Sequence, residues 1–412
     1  MKMRTLYLMI LAGLLFCGTA CSKKTPDGTP DSGTDKGGTV SNGKDLPSGA
    51  KDGVTFVNSG TSAIFNLYAP GKTSVSVIGE FNNWQPTAMN QTPDGTRWWI
   101  QVDNLNPNTE YAYQYLINGN LKVGDPYCEK VLDPDNDKYI PASVYPDLKP
   151  YPSGQTGIVS VMQANQPAYT WKVSSFTRPD PKKLVIYELL VRDFVATHSY
   201  KTVTDSLGYL SRLGINAIEL MPINEFEGNS SWGYNPSYYF APDKYYGTKN
   251  DLKAFIDACH AKGIAVIQDM VLNHSFGQSP MVQMYFNTAT GKPTADNPWF
   301  NVDPKHPANV GYDFNHESAA TKYFVKNVVK FWMQEYKIDG FRFDLAKGFT
   351  QTYSADYNAW ANYDAGRVAI WKDYNNYIKS IDPNLYVILE YFAGNQEEAE
   401  LVSQGMMMWS NL

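Results

Sequence analysis

The chain has 412 residues, with 41 Asp and Glu against 35 Lys and Arg, a formal net charge of -6 and 18% charged residues. That balance leaves no basic field to hold a nucleic acid or an anionic membrane surface, so the expected partner is neutral or weakly charged. At about 150 residues per domain, the length implies two or three domains.

The N-terminus carries Lys2 and Arg4, an apolar run over residues 6–16, and then Gly18, Thr19, Ala20 and Cys21. This reads as a secretory signal peptide, too short to span a bilayer as a mature helix. Small residues followed by Cys resemble the bacterial lipoprotein processing site, with Gly18 in place of the usual Leu. The resemblance implies that Cys21 becomes an acylated first residue, so that residues 1–21 are signal and lipobox and the protein is lipid-anchored in a bacterial cell envelope, periplasmic or at the cell surface. The alternative is cleavage by an ordinary signal peptidase. Residues 22–53 are Gly, Ser, Thr, Asp, Lys and Pro with almost no large apolar side chain, a composition that suits a disordered tether. Cys17 falls in the signal, and Cys128 and Cys259 fall in what read as different domains, so no disulfide framework is expected.

Residues 54–145 change to short alternating runs at 62–69, 74–79, 97–102 and 110–118, punctuated by Pro-Gly, Asp-Gly and Asn-Gly. Such spacing predicts an all-β, immunoglobulin-like sandwich. Its segment Gly79-Glu80-Phe81-Asn82-Asn83-Trp84 resembles the signature of the early-set, glycogen-binding-like modules that precede many starch enzymes, and Trp84 is either a sugar-stacking residue or a core residue. A Pro-rich connection is expected over 146–183.

From residue 184 the rhythm becomes strand, loop, helix. Runs at 184–191, 215–221, 263–271, 341–345, 386–390 and 406–409 read as buried strands, with helical patterns at 203–213, 250–262, 319–336, 368–381 and 396–404. Near-continuous apolar strands alternating with amphipathic helices, without a Gly-rich nucleotide loop, predict an α/β fold of the (β/α)8 TIM-barrel type. Six strands are visible in 184–412, and an insertion is expected at about 273–317.

In such a barrel the reactive groups sit at the C-terminal ends of strands. Asp269 ends the third run, Arg342 and Asp344 the fourth, and Glu390 the fifth. Residues two apart on a strand share a face, so Arg342 and Asp344 point together to the barrel mouth while Phe341 and Phe343 point under the helices. The adjacent guanidinium is expected to hold Asp344 ionised, as a nucleophile must be, by lowering its pKa. Glu390, at the end of the apolar run Val387-Ile388-Leu389, suits a proton donor. Two carboxyls with divided roles are what glycoside hydrolysis with retention requires.

The segments Asp269-Met270-Val271-Leu272-Asn273-His274 and Gly340-Phe341-Arg342-Phe343-Asp344, with the strand-end Glu390, resemble three of the four conserved regions of the α-amylase family, glycoside hydrolase family 13. Residues 185–194 and Gly233-Tyr234-Asn235-Pro236 extend the resemblance. It implies that Asp344 attacks the anomeric carbon, Glu390 is the acid/base and Arg342 orients the nucleophile. It further implies that His274 bonds sugar hydroxyls, Tyr234 stacks on the attacked ring, Asp269 supports the site from below and Lys347 lines the leaving-group side. The chemistry needs no cofactor. Many family members bind a structural calcium through the Asn of the first motif, which makes Asn273 the candidate ligand, although Gly348 stands where a ligating His is usual.

The family's fourth region, a His-Asp pair after the seventh strand, does not follow Glu390. The chain is therefore expected to be a C-terminally incomplete form, itself inactive or poorly folded. The leading expectation is cleavage of α-1,4 bonds in starch-like glucans by double displacement. Debranching of α-1,6 bonds and glucan branching fit the segment from Glu219 to Tyr234 as well, and the rival from another class is a non-catalytic glucan-binding lipoprotein.

Overall fold

The computed structural model describes residues 43–409; the signal, most of the tether and Cys21 lie outside them. Among the described residues no helix is long and apolar enough to cross a membrane.

The first domain is two antiparallel sheets face to face. One runs Gly53–Val57, Ser62–Tyr68, Arg97–Val102 and Asn90–Gln91, and the other is built around Val75–Gly79 and Tyr111–Ile117. Inward-facing Phe65, Leu67, Val77, Trp98 and Tyr115 fill the space between them, as alternation along each strand dictates. The strand Val159–Met162 pairs with Tyr111–Ile117, so the stretch expected to be a connection completes the second sheet. Its four residues are apolar or small and wholly buried, but the surrounding prolines disguise them as linker. Trp84 is half-buried and packs on a cluster containing Leu132, Val159 and Val161.

The second domain carries six parallel strands in consecutive order: Ile186–Leu189, Ala217–Leu220, Ala265–Met270, Gly340–Phe343, Tyr386–Glu390 and Met407–Trp409. Each predicted run holds one strand. The helices Lys249–Ala261, Ala319–Glu335, Ala365–Ile381 and Asn395–Ser403 lie where the 3.6-residue pattern put them, whereas the pattern at 203–213 is broken into Tyr200–Asp205 and Leu207–Arg212. Lys249–Ala261 begins at a reciprocal Thr248–Asp251 capping box, which satisfies two of the orphan amides of its first turn. A hairpin of Asn224–Phe226 with Pro236–Pro242 follows the second strand. The insertion after the third strand contains two small antiparallel pairs, His274–Ser275 with Tyr312–Asp313 and Phe286–Asn287 with Lys292–Pro293.

His260, on the helix Lys249–Ala261 where it would be expected at the surface, is buried. Its Nε2 lies 2.8 Å from Asp339, and Phe176 stacks on the ring at 4.1 Å. The helical pattern shows a polar position but not the connecting segment that folds over it. The two domains are joined by Lys244, which pairs with Glu225 and, at 3.3 Å, with Asp137, and by Tyr127 stacked on Phe240. Cys128 and Cys259 are free and buried.

Candidate active site

Strand register brings the acids together. Asp269 pairs with Arg342 across the third and fourth strands, and Phe343 pairs with Leu389 across the fourth and fifth. The next position along each strand carries Asp344 and Glu390, so their backbones stand about one interstrand spacing, roughly 4.8 Å, apart. Phe341 and Phe343 point the other way into the core, and Phe343 meets Trp371 of the helix Ala365–Ile381 edge-on.

Arg342 ties the acids to one another. Its Nη1 donates to both oxygens of Asp269 at 3.0 Å and to Asp344 Oδ1 at 3.1 Å, and its Nη2 lies 3.0 Å from Glu390 Oε1. A guanidinium is a rigid planar fork, so anchoring one prong on Asp269 fixes the direction in which the other groups are held. The other oxygen of Glu390 accepts the Leu345 amide at 2.7 Å. Leu345 follows the proposed nucleophile directly and has φ 42°, while Phe392, two residues past Glu390, has φ 48°. Left-handed backbone at a bulky residue costs about 1 kcal/mol or more and persists where surrounding contacts impose it. Lys347 fastens the two corners by donating to the Phe392 carbonyl at 2.9 Å, with its ammonium 4.0 Å from the Trp360 ring centroid.

A hydrogen-bond chain reaches Asp269 from the insertion. Gly233 has φ 93°, and a Cβ there would come within 2.4 Å of the Pro222 carbonyl; this glycine lets Tyr234 turn inward and donate its hydroxyl to Asp269 Oδ2 at 2.8 Å. His274 Nε2 lies 2.8 Å from the Tyr234 carbonyl and its Nδ1 3.2 Å from Asn273 Nδ2, while Asn273 Oδ1 lies 3.1 Å from His306 Nε2. A carbonyl only accepts and an amide nitrogen only donates, so both histidines carry the proton on Nε2. His274, expected to bond sugar hydroxyls, is 2% exposed and engages both ring nitrogens within the protein; here it sets the backbone of Tyr234. Burial lowers its pKa to about 4, which keeps it neutral.

The electrostatics correct one expectation. Burial pushes Asp344 up to about 6, with Arg342 opposing and Glu390 adding to the shift. Arg342 was expected to lower this pKa, but its single charge is divided among Asp269, Glu390 and Asp344, and the share left for Asp344 does not offset desolvation. Above that value Asp344 is still the carboxylate that attack requires. Asp269, fully buried, is raised well above the usual carboxylate range by desolvation.

Asn273, the candidate calcium ligand, does not fit an ion. Its carboxamide oxygen and Asp313 Oδ1 flank His306 Nε2, at 3.1 and 3.6 Å, so an imidazole N–H holds the place between two oxygens that a cation would need. Gly348 makes this possible, since a Cβ there would fall 1.9 Å from Asn273 Oδ1. Trp360 stacks on the His306 ring at 4.9 Å. Among the described residues no group of three or more His, Cys, Asp or Glu is placed to hold a metal. Replacing His306 with Ala is expected to lower unfolding free energy by about 2–4 kcal/mol, the sum of a cavity and an orphaned acceptor. Chelation is expected to leave the melting temperature of the native protein unchanged, and a fall on adding EGTA would count against this account.

Two members of the site were not identified from sequence. His306 lies in the insertion, without a motif of its own. Glu219 was noted as part of a branching-type segment, but its position as the charged residue of an apolar buried strand was the signal that it faces the barrel interior.

Residues 175–317 match the α-amylase catalytic domain, and residues 52–134 match carbohydrate-binding module 48, the isoamylase N-terminal domain. An α-amylase catalytic domain is thus found over residues 175–317. Among curated relatives, a malto-oligosyltrehalose trehalohydrolase of Saccharolobus solfataricus is 31% identical over 57% of this chain and 38% of its own length. A 1,4-alpha-glucan branching enzyme of Photobacterium profundum is 28% identical over 79% of this chain and 45% of its own. The chain thus spans less than half the length of either. Among solved structures, the pullulanase of Paenibacillus barengoltzii in complex with maltohexaose and alpha-cyclodextrin superposes with a TM-score of 0.62 at 20% identity, over 85% of this chain and 54% of that one. The type I pullulanase of Bacillus subtilis gives 0.62 at 22% identity, over 84% and 47%. These likenesses establish the fold.

Proposed function

We propose that the protein is a retaining glycosidase of α-1,4-linked glucans, in which Asp344 attacks the anomeric carbon and Glu390 serves as acid and then base. The observation that carries this reading is the Arg342 fork, which binds both carboxyls within 3.1 Å. Two carboxyls held on one guanidinium at the ends of adjacent strands suit the close placement, roughly 5 Å, that retention needs, whereas inverting enzymes hold theirs about 6.5–9.5 Å apart with a water between. In the first step Glu390 gives its proton to the leaving glycosidic oxygen while an Asp344 oxygen bonds to the anomeric carbon. In the second, Glu390 takes a proton from water, which displaces Asp344 with overall retention.

Branching and α-1,6 debranching form the second reading, favoured by the carbohydrate-binding module before the barrel and by relatives bearing those names. Incubating the full-length protein with amylose, amylopectin and pullulan separates the readings. The expected result is reducing sugar from amylose, declining below about pH 6 as Asp344 becomes protonated. Cleavage of pullulan alone, or branch formation without reducing sugar, replaces the α-1,4 reading, and no turnover of any glucan overturns the enzyme reading.

A further inference from the structure

Beneath the two acids lies a third carboxyl that the mechanism does not use. Glu219, on the second strand, pairs in register with Glu188 on the first and Ile267 on the third, and its side chain is wholly buried. Among the described residues neither of its oxygens has a hydrogen-bond partner, and neither does Nε of Arg342. These unpartnered atoms face each other, with 3.9 Å between Arg342 Nε and Glu219 Oε1. The gap is too short for a bridging water and closes to a direct hydrogen bond with a shift of less than about 1 Å. A buried donor and a buried acceptor so placed are rarely left unpaired.

The charge of the cluster decides in which form Glu219 acts. One guanidinium faces four carboxyls: Glu219, Asp269 on the third strand, Asp344 after the fourth and Glu390 on the fifth, with Glu188 beside Glu219 on the first. A single cation cannot neutralise four carboxylates out of water, so at least one of them keeps its proton. Burial raises Asp269 as well, but it has two guanidinium contacts and the Tyr234 hydroxyl to support an anion, while Asp344 and Glu390 are partly open to solvent. Glu219 has neither. Burial raises its pKa to about 8, with Arg342 opposing and Glu188 and Glu390 adding to the rise.

We propose that Glu219 is a positioning residue of the glycosidase reaction: as the neutral acid it holds the Nε edge of Arg342, so that the two Nη groups keep nucleophile and acid/base in register. The inference rests on the proposed function. When Asp344 becomes a glycosyl ester it loses its charge, and Arg342 loses one of its anionic partners. An uncharged anchor on Nε keeps the fork in place through that step without competing for its charge.

The test uses Glu219→Gln and Glu219→Leu in the full-length protein, assayed on soluble starch across pH. Glutamine keeps a carbonyl oxygen for Nε and cannot ionise. Its kcat at neutral pH is expected to stay within about threefold of the native value, and the fall in activity that accompanies Glu219 ionisation at alkaline pH is expected to disappear. Leucine keeps the volume but not the acceptor; its kcat is expected to drop about 10²-fold or more with KM little changed. A leucine variant with native kcat, or a glutamine variant as impaired as leucine, overturns the proposal. Infrared difference spectroscopy at neutral pH gives a reading independent of turnover and of the leucine variant's folding. The native-minus-Glu219→Gln difference spectrum is expected to show the C=O stretch of one protonated carboxylic acid, and failure to find it overturns the neutral-acid assignment. If the native protein cleaves no α-glucan, the glycosidase reading fails and the positioning role falls with it, while the infrared band still reports separately on whether Glu219 is neutral.

Discussion

Replacing Asp344 with Asn is expected to lower kcat for α-glucan hydrolysis by at least about 10⁴-fold while making the fold more stable at pH 7. The loss follows from chemistry, because a carboxamide cannot form the glycosyl ester. The gain follows from burial. Asp344 has a pKa pushed up to about 6 from the usual 3.8, so the native state binds this proton more tightly than the unfolded chain does. The contribution of Asp344 to stability therefore falls as pH rises from about 4 to about 6 and reaches a floor above that, a loss of up to about 3 kcal/mol for two pKa units. The Asn variant lacks this part of the slope, and retaining one acceptor for Arg342 limits its gain at pH 7 to about 1–3 kcal/mol. Urea titrations at pH 4 and pH 7 check the sign: the two proteins should differ at pH 7 and converge at pH 4. A variant less stable than the native protein at pH 7 would show that the Arg342 contact outweighs desolvation. Greater stability with full activity would remove Asp344 from the mechanism.

The positions of the acids were legible in the sequence, but their energies were not. Strand-end placement and the period of two put Arg342 and Asp344 on one face and two phenylalanines on the other, and the structure keeps that division because the apolar face must meet the helices. What the pattern could not show is how many groups share one cation. Read along the chain, Arg342 stands beside Asp344 alone; in space its charge also serves Asp269 and Glu390, with Glu219 nearby. The direction of the Asp344 shift reversed for that reason. The same limit applies to His260 and to the strand Val159–Met162, whose surroundings are contributed by segments distant in sequence. Local periodicity reports which side of an element is apolar, and says little about what arrives on the polar side.

The cluster itself can be probed by removing its cation. Arg342→Met keeps much of the side-chain volume and is expected to lower unfolding free energy by about 3–5 kcal/mol at pH 7, the usual cost of stranding a buried charge. The loss should depend on pH with a definite sign. Without the guanidinium, Asp269, Asp344 and Glu219, all already raised above their ordinary values, shift further up, so the native state holds more protons than the unfolded chain over a wider range. Stability of the variant then falls more steeply than the native protein's as pH rises from about 4 towards 8, and at about pH 4, with the acids protonated in the native state and about half protonated in the unfolded chain, much of the deficit should vanish. Urea titrations across that range measure it. A deficit of equal size at pH 4 and pH 7 would mean that Arg342 acts by packing, as its 5.3 Å approach to the Trp409 ring allows, and would undo the picture of one cation restraining a cluster of acids. Activity separates the two accounts again. Packing is substantially preserved by methionine, whereas loss of the fork should reduce kcat by about 10²–10³-fold, because among the described residues no other side chain binds both Asp344 and Glu390 at once.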